Sequence, residues 1–134
     1  MLPVYDRATR QGPGQGGMGK AGGISIHGVD IARGVAATGL AVEVYRLDGE
    51  RRLVASGRLG ADGTLADPIA RGEGVVAGTY EVLFHLGDWY AASGGDAARF
   101  LDVVPFRFEL RQVEQHYHLP FKFTPWGIQL FRGV

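Results

Sequence analysis

From residue 24 to the C-terminus the chain alternates apolar and polar residues with a period of two, and that pattern constrains the fold more than anything else in it. In "ISIH" Ile24 and Ile26 share one face, and Ser25 and His27 the other. "LAVEVYRL" (40–47) groups Leu40, Val42 and Val44, and "TYEVLFHL" (79–86) groups Tyr80, Val82, Phe84 and Leu86. "VPFRFEL" aligns Val104, Phe106, Phe108 and Leu110, and "HYHLPFKF" aligns Tyr117, Leu119, Phe121 and Phe123. "RLVASGRL" is a weaker strand, ended by the turn residues "ADG" at 61–63, and "GIQLFRGV" closes the chain as a last strand. Side chains of a strand point alternately to its two faces, so each run has one side for a core and one for solvent. Seven or so such runs separated by turn signals predict an all-β sandwich. Helical periodicity is scarce, and the one short helix is expected around "GGDAARFL" (94–101).

Composition supports a packed domain and removes several partner classes. Of 134 residues 46% are hydrophobic and 21% charged, enough apolar material for one core. Fourteen basic side chains balance fourteen acidic ones. With no basic block, neither nucleic acid nor an anionic membrane is the expected partner. There is no cysteine, so neither disulfides nor thiolate metal sites are expected. No run of 18 apolar residues is present, and a cytoplasmic location is the expectation.

Residues 1–23 read differently from the rest. "QGPGQGGMGKAGG" (11–23) holds seven glycines and a proline, the composition of a flexible leader, and the domain is expected to occupy 24–134. "GQGGMGKA" fits G-x-G-x-x-G and approaches a phosphate loop, but Ala21 stands where a hydroxyl should hold magnesium. A Pro/Gly-rich stretch precedes it and "ISIH" follows, so the strand and helix that such a loop needs are missing from its flanks. No nucleotide cofactor is expected.

Chemistry points to the histidines. His116, His118 and Lys122 fall on the polar face of one predicted strand, and His27 falls on the polar face of another. A His-x-His pair can hold zinc only with further ligands, and no third His or carboxylate stands at suggestive spacing. General acid–base work suits imidazole, whose unperturbed pKa of about 6.5 lies near physiological pH. Solvated surface histidines are the bland alternative.

The stretch "ISIHGVDIARGVAATGLAVEVYRLDGE", the later "GTYEVLFHLGDWYA" and "FLDVVPFRFEL", and the end "HYHLPFKFTPWGIQLFRGV" together resemble the transthyretin-like family, specifically its 5-hydroxyisourate hydrolases. The likeness runs from about residue 24 to the C-terminus. It implies a transthyretin-type, immunoglobulin-like sandwich of seven or eight strands, assembled as a homotetramer (a dimer of dimers) with active sites in the channel between dimers. It also implies hydrolytic opening of a small cyclic, purine-derived substrate by water activated at a histidine, without a metal or other cofactor.

Carried over residue by residue, the resemblance makes His27 and His118 the catalytic pair. His85 and His116 are expected to stand outside the chemistry. Arg132 and Gly133 match the middle of the family's Tyr-Arg-Gly-Ser tail, so "QLFRGV" reads as part of a site. Three positions depart from the pattern: Thr64 stands where the family has an arginine after Asp-Gly, Phe131 replaces the tail tyrosine, and Val134 its serine. Thr64, Phe131, Arg132, Gly133 and Val134 are thus the expected substrate-binding positions. Arg46, Arg58 and Lys122 are candidates to replace the missing cation. Trp126, after a Thr-Pro turn, is a candidate to line the channel. Three functions remain open from the sequence: hydrolysis of 5-hydroxyisourate, a re-tuned hydrolysis or cyclisation of another ring in a biosynthetic pathway, and aromatic-ligand binding without catalysis.

Overall fold

The computed structural model describes residues 21–93 and 100–134. Eight strands form two four-stranded sheets, packed face to face as a sandwich. The first sheet has the order β2-β1-β7-β8, from β1 (Ile24–Asp30), β2 (Val35–Ala36), β7 (Tyr117–Phe123) and β8 (Ile128–Leu130). The second has the order β4-β3-β5-β6, from β3 (Ala41–Arg46), β4 (Arg52–Arg58), β5 (Gly78–His85) and β6 (Val103–Leu110). All pairings are antiparallel except the central β1–β7 pair, which is parallel.

The alternation read from the sequence becomes the core. Ile24 and Ile26 from β1, Val42 and Val44 from β3, Tyr80, Val82 and Phe84 from β5, and Leu119, Phe121 and Phe123 from β7 are all buried. Phe84 and Phe121 stack across the two sheets with centroids 4.1 Å apart. Complete burial of one such side chain contributes about 1.5–3 kcal/mol, so these rows hold the sheets together. Pro105 sits in β6, whose second edge pairs with no strand among the described residues, and its missing N–H breaks no ladder bond there.

Two inward positions of β1 are not hydrophobic side chains. Gly28 makes room: a Cβ there would lie 2.8 Å from Leu59 Cδ1 and 3.1 Å from the Ala37 methyl. Asp30 is fully buried. Its carboxylate accepts from the Arg33 side chain (2.8 Å), the Tyr90 hydroxyl (3.0 Å) and the backbone N–H groups of Ala32 and Arg33. Burial alone would raise its pKa, but the hydrogen bonds from Arg33 and Tyr90 outweigh it and hold the group below the usual carboxylate value.

The helix differs from the sequence expectation. α1 spans Leu86–Ala92, where the strand pattern had claimed Leu86, and the "GGDAARFL" segment lies largely outside the described residues. Leu86, Gly87, Trp89 and Tyr90 are its buried residues; the large side chains make a one-sided i, i+3, i+4 stripe whose Trp89 and Tyr90 pack edge-on to Phe123. That stripe is only five residues long, and alternation running in from β5 masks it. The expected leader lies outside the described residues up to residue 20; Ala21–Gly23 pack on the fold, with Gly22 N–H donating to Val113 O and Tyr117 N–H to Gly23 O. The phosphate-loop-like "GQGGMGKA" also falls outside them, save Ala21.

Candidate active site

The outer face of the β2-β1-β7-β8 sheet gathers His27, His118, Thr64, Phe131 and Gly133 of the sequence-predicted residues. Parallel register pairs Ser25 with His118, His27 with Pro120 and Val29 with Lys122. On the other side of β7, β8 pairs Gln129 with Lys122 and Leu130 with Phe121, and the His118–Gly133 bridge continues that register. Phe131 therefore falls beside Pro120, and the Lys122 ammonium lies 5.8 Å from its ring. On the far side of β1 an isolated bridge joins His27 to Thr64. Two neighbouring rows result: Gly133–His118–Ser25, and Phe131–Pro120–His27–Thr64.

The "ADG" turn holds His27. Gly63 has φ +83°, and its carbonyl accepts from Gly28 N–H at 2.8 Å. The turn lies so close to β1 that a Cβ on Gly63 would come within 2.6 Å of Gly28 O and 3.2 Å of His27 Cδ2. His27 Nε2 donates to the Asp62 carbonyl at 2.9 Å. Thr64 closes the turn, donating from Oγ1 (2.7 Å) and N (3.0 Å) to the Asp62 carboxylate. These bonds from Thr64 hold the Asp62 carboxyl below its ordinary pKa. Thr64 thus shapes the loop under His27, where the family resemblance places an arginine.

The tail holds His118. Gly133 N–H donates to His118 O at 2.6 Å. A side chain at 133 would begin 2.9 Å from His118 Cδ2 and 3.2 Å from Pro120 Cγ, so only glycine lets the tail lie flat on the imidazole. Arg132 anchors this strand end: it donates to Gln115 Oε1 (2.9 Å) and His116 O (3.2 Å) and lies 4.0 Å over the Tyr117 ring. Phe131 is partly exposed and Val134 fully so.

His118 is also held from β1. Ser25 Oγ lies 2.7 Å from both His118 Nδ1 and His116 Nε2, and His116 Nδ1 reaches Gly22 O at 2.5 Å. Burial first, then the neighbouring His116 and His27, push the His118 pKa down, so its ring is neutral at physiological pH. Sequence reasoning missed Ser25 entirely and set His116 aside. Their only signal was a shared polar face with the catalytic candidates.

Other candidates stand apart. His85 is on the second sheet and donates from Nε2 to Glu43 at 2.8 Å, beside a small cavity lined by Arg58, Asp88 and Trp89. Arg46 and Arg58 are on that same sheet, and Arg58 donates to Gly39 O. Of the three cations proposed as replacements, Lys122 is the one on the histidine sheet. Trp126 is exposed, with its ring 5.8 Å from Phe100. Among the described residues no group of three His, Cys, Asp or Glu side chains could hold a metal ion.

Residues 24–133 match the model of the HIUase/Transthyretin family. The chain belongs to this family. A 5-hydroxyisourate hydrolase 2 of Rhizobium meliloti (strain 1021) is 38% identical over 120 residues, covering 87% of this chain and 99% of the relative. Among solved structures, the 5-hydroxyisourate hydrolase of Klebsiella pneumoniae superposes with a TM-score of 0.67 at 28% identity, over 83% of this chain and 97% of that one. An (S)-allantoin synthase superposes with a TM-score of 0.78 at 29% identity, over 86% of this chain but 44% of that enzyme. The histidines of the adjacent strands β1 and β7 and the glycine packed on His118 form the candidate active site.

Proposed function

We propose that this protein is a hydrolase that opens a small cyclic ureide of the 5-hydroxyisourate type. The observation that carries the reading is the convergence of His27 and His118, from two parallel-paired strands, on one face closed by the C-terminal tail. A neutral His118 accepts a proton from water as the oxygen attacks a ring carbonyl. It returns that proton to the ring nitrogen as the C–N bond breaks, so protons balance without a metal. His27, with Nε2–H held by Asp62 O, keeps Nδ1 as an acceptor for a substrate N–H. Its relatives' names and the family membership support the substrate class. The tetrameric form expected from the sequence fits the edges of β6 and β8, which pair with no further strand among the described residues, and the exposed Val103, Trp126, Ile128 and Phe131 beside them, which a subunit contact would cover.

A second reading, a pocket re-tuned for a less anionic ring, is favoured by Thr64. Its hydroxyl is spent on Asp62, and the position offers no cation to a developing oxyanion. One missing charged stabiliser costs roughly 10²–10³ in rate. The assay is the absorbance decay of freshly generated 5-hydroxyisourate with wild-type protein and with the Thr64→Arg/Phe131→Tyr/Val134→Ser triple variant. Hydrolysis of this substrate predicts decay well above the spontaneous rate in the wild type; decay at the spontaneous rate refutes it. A gain of about a hundredfold in the triple variant supports re-tuning, and no gain removes that reading.

A further inference from the structure

We infer that Ser25 and His116 form a proton-locked relay that fixes the proton of His118 on Nδ1 and leaves Nε2 as its basic nitrogen. The chain of bonds is anchored at its far end, on the backbone of Gly22. Gly22 O is a carbonyl and can only accept, so His116 Nδ1, 2.5 Å away, carries a proton. In the neutral ring His116 Nε2 is then an acceptor, and the Ser25 hydroxyl, 2.7 Å away, donates its only proton there. Ser25 Oγ has none left for His118, so His118 Nδ1 must donate to it across 2.7 Å. The lone pair of the neutral His118 ring consequently sits on Nε2. With both rings neutral, as at pH 8, each step follows from donor counting, and one backbone carbonyl sets the whole sequence.

Among the described residues nothing else on the face does this work. Gly133 packs on Cδ2 and bonds the backbone of His118, which orients the ring plane but not its proton. His27 is fixed separately, through Asp62 O. Arg132 bonds His116 O and so steadies the relay's middle member from the tail. Ser25 and His116 are positioning residues. The inference rests on the proposed role of His118 as base, and spectroscopy tests it without reference to any substrate.

The experiment is ¹⁵N NMR of histidine-labelled full-length protein at pH 8, about 1.5 units above the unperturbed imidazole value, with long-range ¹H–¹⁵N correlations assigning the protonated nitrogen of each ring. His118 should show Nδ1–H, and His116 Nδ1–H as well. In Ser25→Ala, His118 should shift toward Nε2–H, the form that imidazole side chains favour in water. In parallel, kcat on 5-hydroxyisourate should fall by about tenfold or more with KM little changed, because a wrong tautomer removes the base without removing binding. His116→Leu should behave like Ser25→Ala. His116→Gln, whose amide can still accept from Ser25 and donate to Gly22 O, should recover the Nδ1–H state and most of the lost rate. Nε2–H on His118 in the wild type, or an unchanged tautomer in Ser25→Ala, overturns the relay. If the wild type turns over no 5-hydroxyisourate yet His118 switches tautomer in Ser25→Ala, the relay stands and the hydrolase reading falls.

Discussion

Gly63→Ala should damage this protein in two separable ways. The backbone at Gly63 has φ +83°, and an L-residue in the left-handed region costs about 1–2 kcal/mol. The methyl would also begin 2.6 Å from Gly28 O, 3.2 Å from His27 Cδ2 and 3.3 Å from the Ala36 methyl. The turn cannot yield freely, because its own carbonyl holds Gly28 N–H and Gly28 O holds Ala37 N–H. Overpacking of this kind adds about 1–3 kcal/mol. Gly34 is the control: its φ is +68°, but a Cβ there meets nothing within 4 Å, so Gly34→Ala carries the conformational cost alone. Differential scanning calorimetry at one protein concentration should place Gly63→Ala roughly 4 °C or more below Gly34→Ala. Activity should separate them further, since displacing His27 by about 1 Å can cost on the order of 10² in rate, while Gly34 lies away from the site. Equal melting temperatures and equal activity in the two variants would mean that the turn does not brace His27, and the account of how β1 presents it would be abandoned.

Three further outcomes follow from the same geometry. Native His118 has its pKa lowered from 6.5, so below pH 6.5 the unfolded chain binds a proton that the native chain resists. Stability should therefore decline as pH falls from 6.5 toward the native pKa, and urea titrations should show a shallower decline in His118→Gln. Tyr90→Phe removes one hydrogen bond to the buried Asp30 carboxylate and should cost about 1.5–3 kcal/mol, whereas Asp30→Ala removes every bond of the network, leaving the part-exposed Arg33 and the Tyr90 hydroxyl without their shared partner, and should cost more; chemical denaturation would rank them, and a milder Asp30→Ala would contradict the network. Light scattering should give a mass near four chains of 14.4 kDa, and a monomer at micromolar concentration would leave the apolar edge of β8 unexplained.

Much of this molecule is legible in its residue order because alternation is a local property. Ile24 and Ile26, Tyr80 to Phe84 and Tyr117 to Phe123 state which side of each strand must leave water, and the sandwich follows from burying those sides together. The family motifs also pointed to His27, His118 and Gly133, which the fold brings onto one face. Local pattern failed where a short signal competed with a longer one: Leu86, Trp89 and Tyr90 make a helical stripe too brief to register beside the alternation of β5. Tertiary structure alone decided the partners of His118. Ser25 is 93 positions away from it and reads as one more polar residue on a strand's outer face. It becomes the group that holds the imidazole only because β1 and β7 pair in parallel with Ser25 opposite His118. Side-chain period says which face a residue takes, but register between distant strands is set by the packing of the whole core, and hydrogen-bond partners are chosen by register.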